Sequence, residues 1–312
     1  MRSVSIVLTL LAGLLVGTTP ARAAAAISQV TGFGTNPGAL KMYRYQPDDL
    51  PAGRPVVVAM HGCTQTAAAY GTGTGWVHLA DRWKFTVVLP EQQQANNLNR
   101  CFNWFQPTDT TRGRGEAESI AQMVRRAKAD GAGTAYATGL SGGGAMTSVV
   151  LATYPDLFAG GGIVAGLPFG CATSVVDAFS CMNPGKDLTP AQWAAKVSGH
   201  PGPWPTVSVW HGTADHTVAP LNQQEIVDQW TALHGIPPTP SFTDAVGGFP
   251  HAGYRDTSGR TVVETHTITG MGHGQPVDPG TGTGQCGTAG AYILDVNVCA
   301  AYRMGLSWGL DT

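Results

Sequence analysis

Charged residues are scarce in this sequence. They make up 12% of its 312 residues, about half of the ~25% usual in globular proteins. The formal net charge is only −2, so nothing electrostatic favours nucleic acid or an anionic membrane as a partner. The sequence also has no internal repeat and no Cys-x-x-Cys pair, the usual sign of a zinc site. With 43% hydrophobic residues, the chain is typical of a folded protein with a neutral ligand.

Long apolar runs are absent beyond the N-terminus. The run from Val4 to Val16 follows Met1-Arg2 and precedes the small residues Ala21-Arg22-Ala23-Ala24. It is shorter than the ~20 residues needed to span a bilayer, so a membrane anchor is the less favoured alternative. The positive charge, short apolar core and A-x-A site predict a secretory signal peptide over residues 1–23, and hence a secreted, extracellular protein.

The sequence has six cysteines, which we expect to form disulfides in an exported chain. Six cysteines allow 15 pairings, and the sequence alone does not choose among them. The spacing favours pairing between neighbours, namely Cys63 with Cys101, Cys171 with Cys181, and Cys286 with Cys299.

Apolar, strand-like runs alternate with helical patterns after a predicted exposed lead-in at residues 24–40. The predicted strands are 55–60, 85–89, 134–138, 206–210 and 262–268. The predicted helices are 76–83, 116–128, 145–154 and 223–233. Uniformly apolar strands that alternate with amphipathic helices predict an α/β fold, a mainly parallel sheet with helices on both faces. We expect residues 41–312 to form a single catalytic domain.

The sharpest local signal is Gly139-Leu140-Ser141-Gly142-Gly143, a G-x-S-x-G sequence between a predicted strand and a predicted helix. This is the context of a nucleophile elbow, which lifts a serine hydroxyl above the sheet. A passive serine in a glycine-rich turn is the alternative. We predict that Ser141 is a nucleophile and that the Gly142 N–H, at a helix N-terminus, faces a developing oxyanion.

A serine hydroxyl needs a base to take its proton, and chains of the α/β-hydrolase fold present serine, acid and histidine in that order. Asp215 follows the predicted strand 206–210, at the end where parallel sheets build their sites. His273 lies in a glycine-flanked turn after the last predicted strand. The sequence therefore predicts a triad of Ser141, Asp215 and His273.

Other histidines near strand ends are rivals for these roles. We expect His61 and His211 to be structural hydrogen-bonding residues beside the site, and His266 to lie inside the sheet. A metal site formed by His211, Asp215 and His216 is an alternative, but no clear further ligands accompany these residues. We therefore expect no metal.

The second oxyanion donor is expected in the loop after the predicted strand 55–60. That loop begins His61-Gly62-Cys63-Thr64-Gln65. The Cys63 N–H is the candidate, because a disulfide at Cys63 would hold this donor in a fixed position, as preorganised stabilisation requires.

Seven segments together resemble the extracellular poly(3-hydroxybutyrate) depolymerase family and its feruloyl esterase relatives, and the resemblance runs over nearly all of residues 40–310. These segments are His61-Gly62-Cys63-Thr64-Gln65, Cys101-Phe102-Asn103-Trp104-Phe105, Arg114-Gly115-Glu116-Ala117-Glu118-Ser119-Ile120, Gly139-Leu140-Ser141-Gly142-Gly143-Gly144-Ala145-Met146, Ala165-Gly166-Leu167-Pro168-Phe169-Gly170-Cys171, Trp210-His211-Gly212-Thr213-Ala214-Asp215 and Gly270-Met271-Gly272-His273-Gly274. The resemblance implies an α/β-hydrolase fold and no metal or organic cofactor.

The resemblance also implies the site. By this resemblance Ser141, Asp215 and His273 take the triad roles, and Cys63 and Gly142 supply the oxyanion N–H groups. It supports the pairing of Cys63 with Cys101. Polymer-degrading members usually carry a linker and a substrate-binding domain after the catalytic domain. The sequence shows neither, so we expect activity on amorphous polymer, soluble oligomers or aryl esters rather than strong adsorption to crystalline polymer.

Four aromatic residues lie in or near loops that can rim the site, namely Tyr70, Trp76, Trp104 and Phe105. Their rings would grip an apolar polyester or stack on a phenolic acid. We predict substrate contacts for Tyr70, Trp104 and Phe105. For Trp76 and Trp104, packing over the core is an equally open alternative.

Three functions are compatible with the sequence. The first is a monomeric serine esterase that cleaves poly(3-hydroxybutyrate) or short-chain hydroxyalkanoate oligomers. The second is a feruloyl or acetylxylan esterase that acts on plant polysaccharide by the same mechanism. The third is an inactive hydrolase fold that serves as a secreted binding protein, against which the intact serine, aspartate and histidine argue.

Overall fold

A ten-stranded sheet organises the structure, a computed structural model that describes residues 26–197 and 199–312. The predicted signal peptide, residues 1–23, lies outside the described residues. The strands are β1 Ser28–Val30, β2 Lys41–Tyr45, β3 Val56–Met60, β4 Thr86–Glu91, β5 Ala135–Leu140, β6 Phe158–Val164, β7 Thr206–Gly212, β8 Phe242–Val246, β9 Phe249–Arg255, β10 Thr261–Ile268, β11 Gln275–Val277 and β12 Ile293–Asp295. The helices are α1 Ala67–Gly73, α2 Trp76–Trp83, α3 Pro107–Thr110, α4 Gly115–Ala129, α5 Gly142–Thr153, α6 Val175–Met182, α7 Pro190–Ala194, α8 Leu221–Leu233 and α9 Ala300–Ser307.

The strand order in the large sheet is β1-β2-β4-β3-β5-β6-β7-β10-β9-β8. The six central strands, from β4 to β10, pair in parallel. The two strands at each edge pair antiparallel, and β11 and β12 form a separate short pair. The prediction of a mainly parallel sheet is confirmed. All five predicted strands and all four predicted helices are present within a few residues of their predicted bounds.

Two hydrophobic cores cover the two faces of the sheet. Successive residues of β3 alternate between them, with Val56 and Val58 in one core and Val57 and Ala59 in the other. Helices α4, α5, α7 and α8 supply the first core, and α1, α2 and α9 supply the second. A parallel strand covered on both sides must be apolar throughout, and all five residues of β3 are buried.

Strand β6 was not predicted, because its sequence is Phe-Ala-Gly-Gly-Gly-Ile-Val and glycine is depleted in strands. Its glycines allow helices to pack directly on its backbone. A Cβ on Gly161 would lie 2.4 Å from Leu151 Cδ1, and a Cβ on Gly162 would lie 2.1 Å from Met304 Sδ. Leu151 belongs to α5 and Met304 to α9, so β6 receives a helix closely on each face.

The sheet edges were also missed. Residues predicted as an exposed lead-in contain β1, which pairs with β2, and the Gly38 N–H donates to Ser119 Oγ at 2.8 Å. The lead-in is mostly exposed, but it is hydrogen-bonded to the domain. At the opposite edge β8 and β9 form a hairpin through Gly247 and Gly248, both with positive φ. A Gly-Gly pair between strand-like runs is the hairpin signal that could have found them.

Three disulfides join Cys63 to Cys101, Cys171 to Cys181, and Cys286 to Cys299. The pairing of neighbours predicted from the spacing is confirmed. Within residues 26–197 and 199–312, no helix combines the length and the apolar character needed to cross a membrane.

We expect Gly161→Ala to lower the free energy of unfolding by about 1–3 kcal/mol, because the added Cβ overlaps Leu151 and lies 2.9 Å from the Ala137 carbonyl oxygen. Denaturant unfolding would measure this change. Gly290→Ala is the matched control, because a Cβ there meets nothing within 4 Å. Equal stability of the two variants would show that β6 does not need glycine for packing.

Candidate active site

Ser141 occupies the turn between β5 and α5 with φ 56° and ψ −118°, a conformation that non-glycine residues rarely adopt. Two backbone hydrogen bonds hold it there. Its N–H donates to the Val164 carbonyl at 2.9 Å, and its own carbonyl accepts the Ala145 N–H at 2.8 Å. The strained residue between strand and helix has the geometry expected of a nucleophile elbow.

The glycines around Ser141 are required by close backbone contacts. A Cβ on Gly143 would lie 2.3 Å from the Met60 carbonyl oxygen and 2.5 Å from that of His61. A Cβ on Gly139 would lie 2.4 Å from the backbone of Gly143. The first turn of α5 therefore packs against the end of β3 with no room for a side chain.

Asp215 lies in the loop after β7 and is 2% exposed. Its Oδ1 accepts the Thr217 and Val218 N–H groups, both at 2.9 Å, and its Oδ2 lies 2.7 Å from His273 Nδ1. Burial disfavours the charged form, but hydrogen bonds from His211 and His273 outweigh it, so the pKa of Asp215 lies below its usual range. The residue is therefore a buried carboxylate at neutral pH.

His273 follows β10 in the turn predicted from the sequence. Because Asp215 is ionised, His273 Nδ1 carries a proton and donates a hydrogen bond to Oδ2. The other ring nitrogen, Nε2, is then free to act as a base. Ser141 and His273 line one cleft. Their side chains form no hydrogen bond within the described residues, and in unliganded enzymes such bonds often close only when substrate binds.

A second histidine, His211, contacts the same Asp215 oxygen, Oδ2, as His273 does. It is 1% exposed, and its Nε2 lies 2.9 Å from the Val218 carbonyl oxygen and 3.4 Å from Asp215 Oδ2. A donor at Nε2 serves both acceptors. His211 thus acts as the structural hydrogen-bonding residue expected from the sequence.

The two expected oxyanion donors lie beside each other. A Cβ built on Gly142 would be 3.3 Å from Cys63 Sγ, and the Cys63–Cys101 disulfide holds the loop. Neither the Cys63 N–H nor the Gly142 N–H donates to another group in the part of the chain that the structure describes. Both N–H groups therefore remain free to donate to a bound ligand, as expected of oxyanion donors.

His61 sets the direction of the Cys63 N–H. It is fully buried, and its Nδ1 lies 2.7 Å from the Gly62 carbonyl oxygen, while its Nε2 accepts the Gln92 N–H at 3.1 Å. Burial lowers the pKa of His61, in keeping with a neutral ring that donates from Nδ1. Since the carbonyl and the N–H of a trans peptide point in opposite directions, holding the Gly62 carbonyl turns the Cys63 N–H the other way.

The cleft at Ser141 has two arms of about 200 and 180 Å³. Both arms include Cys63, Ser141 and Met182. His273 lines the first arm, and Trp104, Phe105 and side chains of α6 line the second. The predicted positions of Trp104 and Phe105 beside the site agree with this geometry.

Tyr70 does not lie in the cleft, and its predicted substrate contact is wrong. Its side chain has no exposed surface, and its hydroxyl lies in the interior, 3.1 Å from Gln275 Oε1. Helix α1 turns this ring inward, against the sheet. Trp76 is also fully buried and stacks on Trp308, with ring centroids 5.7 Å apart, so the core alternative holds for Trp76.

Sequence reasoning missed the contribution of α6 and Tyr292 to the cleft. Val175, Phe179 and Met182 line the second arm, and Tyr292 lines the first. An apolar run between the paired Cys171 and Cys181 was the available signal for α6. Tyr292 carried no such signal, because it reaches the site only through the pairing of β11 with β12.

The alternative metal site at His211, Asp215 and His216 is not assembled, because His216 is exposed while the other two side chains are buried. In residues 26–197 and 199–312, the group of three such side chains whose ligand atoms all lie within 4.8 Å of one another is His251, Glu264 and His266. His251 and His266 stack with rings only 22° from parallel. Both Nε2 atoms face the Glu264 carboxylate, at 3.4 and 3.7 Å.

A strained serine beside a histidine held by a buried carboxylate, on a mainly parallel sheet, is an arrangement that serves one kind of chemistry. It defines a serine hydrolase of the α/β-hydrolase fold. Comparison with known proteins narrows this class. The family model described as Esterase PHB depolymerase matches residues 42–254, and the chain belongs to that esterase family.

Individual relatives agree with this assignment. Poly(3-hydroxyalkanoate) depolymerase C of Paucimonas lemoignei is 57% identical over 292 residues, which cover 91% of this chain and 70% of that protein. Feruloyl esterase B of Talaromyces stipitatus is 33% identical over 82% of this chain and 74% of that protein. The solved acetyl xylan esterase from Aspergillus awamori is similar with a TM-score of 0.73 and 30% identity, covering 80% of this chain and 94% of that chain.

We expect Asp215→Asn to lower kcat for a soluble ester roughly 10³- to 10⁴-fold, because the amide favours the wrong imidazole tautomer and no longer stabilises the imidazolium. Steady-state kinetics on p-nitrophenyl butyrate would measure the loss. Asp311→Asn, at an exposed position, is the control. If Asp215→Asn kept full activity, another acid would have to serve His273.

Proposed function

We propose that this chain is a secreted serine esterase in which Ser141 is the nucleophile, His273 the general base and Asp215 the orienting acid. The observation that carries the proposal is the 2.7 Å contact between His273 Nδ1 and the buried Asp215 carboxylate, on a ring that shares a cleft with Ser141. All three residues come from one chain, so a monomer has a complete site.

The proposed reaction has two halves. Ser141 Oγ attacks the ester carbonyl carbon while His273 Nε2 takes its proton, and the Cys63 and Gly142 N–H groups donate to the oxyanion. When the tetrahedral intermediate collapses, His273 gives its proton to the leaving alcohol. Water then attacks the acyl-enzyme with His273 again as base, which releases the acid and restores Ser141. Asp215 stabilises the imidazolium in both halves.

We propose a polyester of short hydroxyalkanoate units as the substrate class. A polymer has a repeating unit on each side of the cleaved ester, and the two arms of the cleft meet at Ser141. An acetyl ester, in contrast, needs room only for one methyl group on the acyl side. The likeness to the Paucimonas lemoignei depolymerase supports the same substrate class.

The surface around the cleft also supports an apolar substrate. Val175, Val176 and Phe179 of α6 are 53%, 75% and 67% exposed, and Tyr292 beside the other arm is 50% exposed. Val175, Phe179 and Tyr292 line the cleft itself. Exposed apolar side chains concentrated at one site mark a binding surface. This surface suits a solid polyester better than a hydrated polysaccharide.

Feruloyl or acetylxylan ester hydrolysis is the second candidate, supported by relatives of those names that are 33–36% identical to this chain. The three reactions share one mechanism and differ in the shape of the pocket. Rates on a hydroxybutyrate trimer, methyl ferulate and acetylated xylan would separate them. Hydrolysis of methyl ferulate or acetylated xylan without hydrolysis of the trimer would overturn the polyester proposal.

Export and domain organisation form part of the proposal. We propose that residues 1–23 are removed on secretion and that residues 41–312 act as one catalytic domain. Three disulfides support an oxidising destination. The intact mass of secreted protein should correspond to a chain that begins at Ala24.

Ser141→Ala should abolish esterase activity, with a loss in kcat on the order of 10⁶-fold, while the melting temperature changes little. A fluorophosphonate probe should label the wild-type protein and leave this variant unlabelled. Labelling of neither protein, with both folded, would favour a binding role over catalysis. Equal activity of the variant would exclude Ser141 as the nucleophile.

Val176→Glu should lower hydrolysis of an amorphous poly(3-hydroxybutyrate) film several-fold, because a charge at this exposed apolar site resists contact with the polymer. Turnover of p-nitrophenyl butyrate should stay within about twofold, because Val176, unlike Val175 and Phe179, does not line the cleft. Leu306→Glu is the matched control, since Leu306 is an exposed apolar residue on α9. Equal film activity of both variants would remove α6 from the binding surface.

A further inference from the structure

Glu116 carries a buried carboxyl group at the start of α4 that the proposed reaction does not use. It is 1% exposed. Its Oε1 accepts Gln92 Nε2 at 2.6 Å and Asn103 Nδ2 at 2.7 Å, and its Oε2 accepts the Asn103 backbone N–H at 2.8 Å. One side chain thus holds two segments that are distant in sequence.

The Glu116 carboxyl group is buried without a cationic partner. No lysine, arginine or histidine within residues 26–197 and 199–312 forms an ion pair with Glu116. Burial raises the pKa of Glu116 to about 8, although the donors from Asn103 and Gln92 act in the opposite direction. A buried acid is costly without a role for its oxygens, and here both oxygens are used as acceptors of hydrogen bonds.

The first segment leads to His61. Gln92 follows β4 and is 1% exposed. While its side chain is held by Glu116, its backbone N–H donates to His61 Nε2 at 3.1 Å. Because Nε2 accepts this bond, the proton of His61 is on Nδ1, and the Nδ1–H group donates a hydrogen bond to the Gly62 carbonyl. The Gly62–Cys63 peptide, whose N–H is the proposed oxyanion donor, is therefore oriented in part through Gln92, and the Gln65 N–H also donates to the Gly62 carbonyl, at 3.3 Å.

The second segment leads to Cys101. Gln92 Nε2 also donates to the Cys101 carbonyl at 3.1 Å, and Asn103 lies two residues beyond Cys101. The Cys101 side chain is bonded to Cys63. Trp104 and Phe105, which line the second arm of the cleft, follow Asn103 directly. Through Gln92 and Asn103, the Glu116 carboxyl group therefore supports both the disulfide partner of Cys63 and one wall of the cleft.

We propose that Glu116 is a positioning residue for the oxyanion hole, which orients the Cys63 N–H through Gln92 and His61 and through Asn103 and Cys101. The inference rests on the proposed nucleophile and oxyanion donors. Glu116 lies behind these groups and touches no reacting atom. Its effect should therefore appear in the transition state, in which the oxyanion exists, and not in the binding of the ground-state ester.

The test is Glu116→Gln, which keeps the shape of the side chain but replaces one acceptor oxygen with an NH₂ group that cannot accept the Asn103 N–H. We expect kcat on p-nitrophenyl butyrate to fall roughly 10- to 100-fold with KM unchanged, as for a small misplacement of a catalytic group. Affinity for a trifluoromethyl ketone, which forms a tetrahedral adduct on Ser141, should fall by a similar factor. Active sites would be counted by fluorophosphonate titration.

Glu118→Gln is the matched control. Glu118 lies two residues further along α4 and bonds to Tyr154 and Arg125 instead, so kcat and ketone affinity should stay at wild-type values. If Glu116→Gln were recovered unfolded, Asn103→Ser would remove one of the three contacts, and a smaller fall in kcat with KM unchanged is expected.

Two results would overturn the inference. One is a lower melting temperature for Glu116→Gln with unchanged kcat per titrated site and unchanged ketone affinity, which would mean that the residue only stabilises the fold. The other is an equal loss of kcat in the Glu118 control. Activity that survives in Ser141→Ala would instead contradict the proposed function, so the two failures are distinguishable.

Discussion

The site depends on a backbone-to-backbone contact between the end of β3 and the first turn of α5. Gly143 approaches the Met60 and His61 carbonyls so closely that no Cβ would fit. This contact places the Cys63 loop beside the N-terminus of α5, where the Gly142 N–H is free. It also holds Ser141 in a strained turn. Preorganised donors of this kind need no rearrangement as charge develops, which is the source of their effect on rate.

Two polar side chains near this contact, Asp215 and His61, are each held by hydrogen bonds from neighbouring residues. Asp215 is held by two backbone N–H groups and by His211. His61 is held by the Gln92 N–H, and Gln92 in turn by Glu116. In a buried region a hydrogen-bond network is strong when every member has a partner and costly when one does not. Neutral polar side chains such as Gln65, Asn97 and Thr217 also line the cleft, but no lysine, arginine, aspartate or glutamate of the described residues does. The proposed neutral polyester needs no charged recognition.

Much of the fold was predictable because strands buried on both faces are uniformly apolar and amphipathic helices have their own period. The runs that became β3, β4 and β7, and the helix Trp76–Trp83, carried those signals clearly. Strand β6 did not, since its three glycines favour no strand by themselves, and two of them, Gly161 and Gly162, leave room for α5 and α9. The inward turn of Tyr70 was likewise invisible, because a ring in a short helix can face either side.

The nucleophile motif, the glycine-flanked turn at His273 and the alternation that builds a parallel sheet can be predicted from the chain alone. These are local patterns, so one chain segment is enough to carry each of them. Folding alone brings α6 and Tyr292 to the cleft, turns Tyr70 away from it, and joins Glu116 to Gln92 and Asn103. Those relations join residues far apart in the chain, and their distances exist only after the strands have paired and the helices have packed.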